Sequence, residues 1–130
     1  MKRLGLCIIS FFTLFFISGC DAATETDVKI INLSSYDLQI TFIKTKNACI
    51  SGNISISLRK GEVGYIDLNK HYGSRSPCSP NYEIEKIIFT NMNTKETISE
   101  KENDKLFTFL YSENGYKDYY QLEITDDIFP

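Results

Sequence analysis

The stretch Tyr36-Asp37-Leu38-Gln39-Ile40-Thr41-Phe42 places an apolar side chain at every second position. Successive side chains of a β-strand point to opposite faces, so this period suits a strand with one buried and one solvated face, not a helix. The same period returns from Ile50 through Ile54 and Ile56 to Leu58, with Ser51, Asn53, Ser55 and Ser57 on the wet face. Val28 to Leu33 reads as a first strand ended by Ser34-Ser35, and Lys44 to Ala48 as a polar connection. Arg59-Lys60-Gly61-Glu62 has the residues of a tight turn into Val63 to Leu68, which predicts a hairpin over 50–68. Further strands are expected at Tyr82 to Thr90, near Thr97 and Ile98, at Leu106 to Tyr111 and at Tyr119 to Thr125. The last follows an Asn114-Gly115 turn. Seven or eight short strands with a turn signal about every ten residues point to an all-β chain, an antiparallel β-sandwich.

One strand stands apart. Phe107, Phe109 and Tyr111 share a face whose reverse carries Leu106, Thr108 and Leu110, so this segment is apolar on both sides and is expected to be central and buried. An exposed face there would instead mark a partner surface, and the Tyr116, Tyr119, Tyr120 cluster raises the same question. Lys95 to Lys105 mixes charge signs and reads as a solvated hairpin tip and edge.

The chain has 130 residues, 42% of them hydrophobic, which suits a single domain. Its start is a different kind of sequence: Lys2 and Arg3, no acid, then an apolar run from Leu4 to Ile17. That run of about 14 residues falls short of the roughly 20 that span a bilayer as a helix, and the layout is that of an export signal. Ile17-Ser18-Gly19-Cys20 resembles the lipobox of bacterial lipoproteins. The resemblance implies cleavage before Cys20 and acylation of that cysteine by chains such as palmitate. The other reading is an ordinary signal cut at Ala22 or Ala23. Segments follow accordingly: 1–19 removed, 20–27 a lipidated cysteine and short tether, 28–125 the sandwich, 126–130 a C-terminal tail. A seven-residue tether reaches ~24 Å at most, which keeps the domain near the headgroups. Asp21 resembles the signal that retains enteric lipoproteins at the inner membrane. The resemblance therefore implies a cell-envelope protein facing the periplasm, with Asp21 favouring the inner membrane.

Without residues 1–19 the 14 basic side chains become 12 against 17 acidic ones, a formal charge of −5. Such a domain lacks the basic stripe that nucleic acid requires. Cys7 leaves with the signal and Cys20 takes the lipid, so Cys49 and Cys78 form an even pair in an exported domain and are expected to form a disulfide. Their spacing is neither C-x-x-C nor accompanied by histidine ligands, which argues against a metal site. The strand series, with the Asn32 to Leu38 entry and the Gly61-Glu62 turn, resembles small envelope lipoproteins with an immunoglobulin-like or transthyretin-like sandwich, and this resemblance assigns no functional residue.

Asn69 to Asn81 lacks clear periodicity and contains His71, Tyr72 and Arg75. A loop stapled at Cys78 suits either a partner-binding element using those three residues or a crossover between sheets. Asp67, His71 and Ser74 or Ser76 lack the setting of a catalytic triad, and His71 reads as a surface residue. Glu83/Glu85 and Asp126/Asp127 read as solvated pairs, the first on one strand face and the second in a frayed terminus. No catalytic residue, metal or cofactor is expected. The functional expectation is protein binding, as an accessory of an envelope or secretion assembly; the alternative is an immunity or inhibitor lipoprotein that blocks a toxin or hydrolase.

Overall fold

A computed structural model describes residues 23–46, 48, 50, 52–72 and 78–129, and within them eight strands make two four-stranded sheets. The strands are β1 (Ala23–Asn32), β2 (Leu38–Lys44), β3 (Ile54–Leu58), β4 (Val63–Tyr72), β5 (Ile84–Asn91), β6 (Thr97–Glu102), β7 (Thr108–Glu113) and β8 (Lys117–Ile124). One turn of helix, α1 (Pro80–Glu83), precedes β5, and a 3-10 turn (Asp126–Ile128) follows β8. Sheet I has the order β4-β1-β8-β7 and sheet II the order β3-β2-β5-β6. Among the described residues no helix is long and apolar enough to cross a membrane.

The alternation read in the sequence sets the core. Leu38, Ile40 and Phe42 of β2 are fully buried with Ile87 and Phe89 of β5, and they share one apolar cluster with Val28, Ile30, Leu122 and Ile124 of sheet I. Each such side chain contributes about 1.5–3 kcal/mol on burial. Thr41, on the other face of β2, instead shares a 2.8 Å hydrogen bond with Ser55 across the ladder.

Several expectations need correction. The first strand begins at Ala23, not Val28, which leaves little of residues 20–27 as tether. Thr24 and Thr26 continue the inward series of Val28 and Ile30, and the buried Thr26 hydroxyl donates to the Cys78 carbonyl at 2.6 Å. A β-branched polar residue can occupy such a position once its hydroxyl has a partner. The sheets are not wholly antiparallel, because β1 pairs with β8 in parallel from Glu25↔Lys117 to Asn32↔Ile124.

The hairpin over 50–68 does not form. The turn itself is present, with Gly61 in the left-handed region (φ 75°) and Glu62 N–H donating to Arg59 O. It carries the chain between sheets, however: β3 pairs with β2 and β4 with β1. Gly64 makes this crossing close, since a Cβ there would lie 2.6 Å from Ile56 Cδ1 and 2.7 Å from Leu58 Cδ2. Side chains from the two strands thus meet across the core instead of side by side in one sheet.

The doubly apolar strand is not central. All six residues of β7 are exposed, and it forms an edge of sheet I. Phe107, just before it, is the residue that enters the core, 6.0 Å from the Phe42 ring. Asn81 pins it from α1, its side-chain amide bonding both Phe107 O and Phe107 N–H.

The irregular stretch 69–81 is shorter than expected, because β4 runs to Tyr72 and α1 starts at Pro80. Glu83 ends that helical turn while Glu85 lies in β5, so the pair does not share a strand face. Residues 126–129 are not frayed. The Asp126 carboxylate accepts hydrogen bonds from Ser35 N–H and Ser35 Oγ, and the Phe129 ring packs edge-on at 5.2 Å from Phe89. The Asn114-Gly115 turn forms as expected, both residues having positive φ, and joins β7 to β8.

Candidate functional site: the outer face of sheet I

A half-covered sheet normally presents a polar outer face, with apolar residues confined to its core side. Sheet I departs from this along β7. Tyr111 is 55% exposed and Leu110 beside it 44%, Tyr65 on β4 is 67% exposed, and Phe109, opposite the core residue Tyr120, is 52% exposed at the open edge. A register shift between Phe109 and Tyr111 marks a β-bulge, which turns the side chains so that an odd-even count no longer predicts their face. Tyr111 stacks on Tyr119 at 4.3 Å between centroids, while Phe109 meets Tyr120 edge-on at 5.4 Å. Tyr65, Leu110, Tyr111, Tyr119 and Lys29 line a shallow depression of about 260 Å³.

Beside the aromatic residues lies a charge cluster. Lys117 Nζ is 3.2 Å from Asp27 and 3.4 Å from Glu25, and 5.3 Å from the Tyr119 ring centroid. Those carboxylates hold the ammonium well above its ordinary pKa, Asp27 most of all. Asp27 and Asp67 face each other in the β1–β4 register. Their carboxyls share a hydrogen bond, which pushes Asp67 up to about 6 and lowers Asp27, aided by Lys117. Glu113 accepts a 3.0 Å hydrogen bond from the Tyr119 hydroxyl, holding that proton on and raising its pKa.

The shared proton has a consequence for stability. Asp67 has a folded pKa near 6 against an ordinary 3.8, so the folded state binds more protons than the unfolded chain between those values. Stability associated with this group falls as pH rises through that window and stays lower above it. Asp67→Asn supplies a permanent amide donor to Asp27. The variant's Tm relative to the native protein is therefore expected to rise between about pH 4 and about pH 7. A Tm difference that stays flat or falls over that interval sinks the shared-proton account. The residue is exposed, so the effect is small.

The sequence-derived candidates fall elsewhere. Cys20, Cys49 and Arg75 lie outside the described residues. His71 and Tyr72 are the last residues of β4, with their backbones opposite Thr24 and Ala23. Cys78 is buried, two residues before α1. Among the described residues no group of three or more His, Cys, Asp or Glu side chains is arranged to hold a metal ion. Sequence reasoning missed Asp27, Asp67 and Lys117, which lie 40 or more residues apart except through the register of β4, β1 and β8; no local spacing signals them. What the arrangement offers chemically is a shallow face of stacked rings beside paired charges, suited to surface contact. Compared with protein-family models, curated proteins and solved structures, the chain matches none.

Proposed function

We propose that this chain is a lipid-anchored cell-envelope protein that works by binding another protein, as an accessory of an envelope or secretion assembly, with β7 and the adjoining face of sheet I as the docking surface. The supporting observation is that β7 is an edge strand exposed at all six positions, with no charge until Glu113 at its end. An open strand edge offers unpaired backbone donors and acceptors to an added strand. Its neighbouring rings supply the residue types that carry binding energy. The other edge of this sheet, β4, carries Asp67, and β6 in sheet II carries Glu100, Lys101 and Glu102, charges that discourage such addition.

A photo-crosslinking amino acid at Leu110 in the living cell is expected to yield a discrete adduct, whereas one at Glu85 on sheet II is not. Leu110→Lys alters an exposed side chain and should leave the unfolding free energy within about 0.5 kcal/mol of native, and Tyr111→Ala, which also gives up the stack on Tyr119, within about 2 kcal/mol, while each weakens capture of that partner about tenfold or more. Equal capture by both variants rejects β7 as the docking surface.

The same reading makes the pair of sheets a sandwich of the immunoglobulin or transthyretin kind, stapled by a Cys49–Cys78 disulfide. Cys78 is buried, and Ala48 and Ile50, which flank Cys49, both pack on the core. Thr45 N–H donates to Glu83 O at 2.9 Å, which ties the segment leading to Cys49 to the α1 turn that follows Cys78. A bridge closing a loop of this length contributes roughly 3 to 4 kcal/mol in the chain-entropy model. Peptide mass analysis of the exported, non-reduced protein is expected to recover the two cysteines in one linked fragment; recovery of two free thiols removes the bridge.

A further inference from the structure

The parallel β1–β8 pair fixes which end of the domain the N-terminal chain leaves from. Ala23 starts β1, with its backbone opposite Tyr72 at the end of β4. On the other side of β1, Glu25 pairs with Lys117, and Glu25 N–H donates to Tyr116 O at 2.8 Å. The start of β1, the end of β4 and the β7–β8 turn therefore make up one end of sheet I. Leu33 lies beyond the opposite end, past a ten-residue β1 that spans about 33 Å.

On the lipid-anchor reading, three Cα steps separate Cys20 from Ala23, a reach of about 10 Å. That is far shorter than the domain. The end of the sheet nearest Ala23 is thus held at the headgroup layer while the far end stands clear of it. This near end carries Tyr116, 42% exposed on the turn, and His71 and Tyr72 at the edge of β4. Tyrosine, with an apolar ring and a polar tip, favours the membrane interface.

We propose that this end of the domain rests in the phospholipid headgroup layer, with the Tyr116 ring as its contact and the end of β4, at His71 and Tyr72, on the same end of the sheet across β1. The inference rests on the lipid-anchor reading of Cys20. It gives the β4 end, selected in the sequence as a partner-binding element, a lipid surface as its partner. It also stands β7 upright on the membrane, so its free edge is open to a partner strand along its length.

The chain contains no tryptophan, so a single introduced one reports only its own position. The test uses the full-length, lipidated protein purified from membranes and reconstituted in phosphatidylcholine vesicles, with and without brominated acyl chains. Tyr116→Trp is expected to lose most of its emission to the brominated lipid. Leu33→Trp, at the far end, and Tyr65→Trp, on the outer face of sheet I, are expected to keep theirs. Tyr72→Trp, at the end of β4 on the other side of β1, is expected to be quenched as well should the first variant fail to fold. Quenching of Tyr65→Trp as strong as that of Tyr116→Trp means that the domain lies on its sheet face, and overturns the proposal. Unquenched emission at Tyr116 in protein that floats with the vesicles overturns it as well, leaving the anchor intact. Protein that does not float at all rejects the anchor itself and this inference with it.

Discussion

Asn32→Ala is expected to destabilise the domain by about 4 kcal/mol, a large fraction of the 5–15 kcal/mol that holds a typical domain folded. Asn32 ends β1 and is fully buried. The two N–H groups of its side-chain amide serve Tyr36 O, Leu58 O and Arg59 O at 2.8, 3.0 and 3.1 Å, one of them shared between two carbonyls, and its Oδ1 accepts from Ser34 N–H and Ser34 Oγ. Its backbone continues the knot, with Asn32 N–H donating to Glu62 O and Gly61 N–H to Asn32 O. One side chain thus ties the end of β1, the turn leading into β2 and the turn that carries the chain from β3 to β4. Alanine would remove all of these side-chain bonds at once in a place that water reaches poorly; Arg59 O keeps Glu62 N–H and the Ser34 hydroxyl keeps Tyr36, but each group left short of a partner costs about 1–3 kcal/mol. Asn32→Asp should be at least as damaging, because a carboxylate cannot donate to three carbonyls and would be buried as a charge. Urea unfolding checks this: the midpoint should fall with an unchanged slope. Glu85→Gln, at an exposed position of β5, should move stability by less than about 0.5 kcal/mol. A loss under about 1 kcal/mol at Asn32 removes this residue as the organiser of the crossing.

How far the sequence could be read depended on whether one strand sufficed to interpret it. Leu38, Ile40 and Phe42 declare their buried face by alternation alone, and Asn114-Gly115 declares its turn by the two residues that tolerate positive φ. Thr24 and Thr26 are buried by the same alternation but look polar in isolation; the Cys78 carbonyl that satisfies Thr26 is 52 residues away. The Arg59 to Glu62 turn has hairpin residues, yet whether its flanking strands pair with each other depends on β1 and β2 competing for them, which is a tertiary matter. β7 shows the limit most clearly. Apolar residues on both faces ordinarily mean a buried strand, but here the bulge at Leu110 and the edge position leave them exposed. The exposure that argues for a docking surface is thus the very point at which composition and location part. The Asp27–Asp67–Lys117 cluster was out of reach for a related reason, since only the register of three strands brings it together.

Cys20→Ser is expected to move the protein from the membrane fraction to the soluble one while leaving its fold intact. On the lipid-anchor reading, each acyl methylene placed in the bilayer contributes ~0.8 kcal/mol; one chain gives only marginal binding, whereas the two or three chains of an acylated cysteine hold firmly. Removing the thiol removes the attachment point of the diacylglyceryl pair, and a single chain on the amino terminus would hold only marginally, so the change in partition is large. The fold should not respond, because β1 begins at Ala23 and the first core contacts belong to Thr24 and Thr26. An equal Tm in the two proteins and a changed partition therefore isolate the anchor from the domain. The alternative cleavage at Ala22 or Ala23 makes the opposite demand: it discards Cys20, so the substitution alters neither partition nor mass. It would also cut at the edge of β1, where Ala23 pairs with Tyr72, and leave the domain without attachment. Fractionation with mass analysis of the mature N-terminus separates the two: an acylated Cys20 fragment lost in the variant supports the anchor, and an unmodified N-terminus after Ala22 or Ala23 in the native protein refutes it.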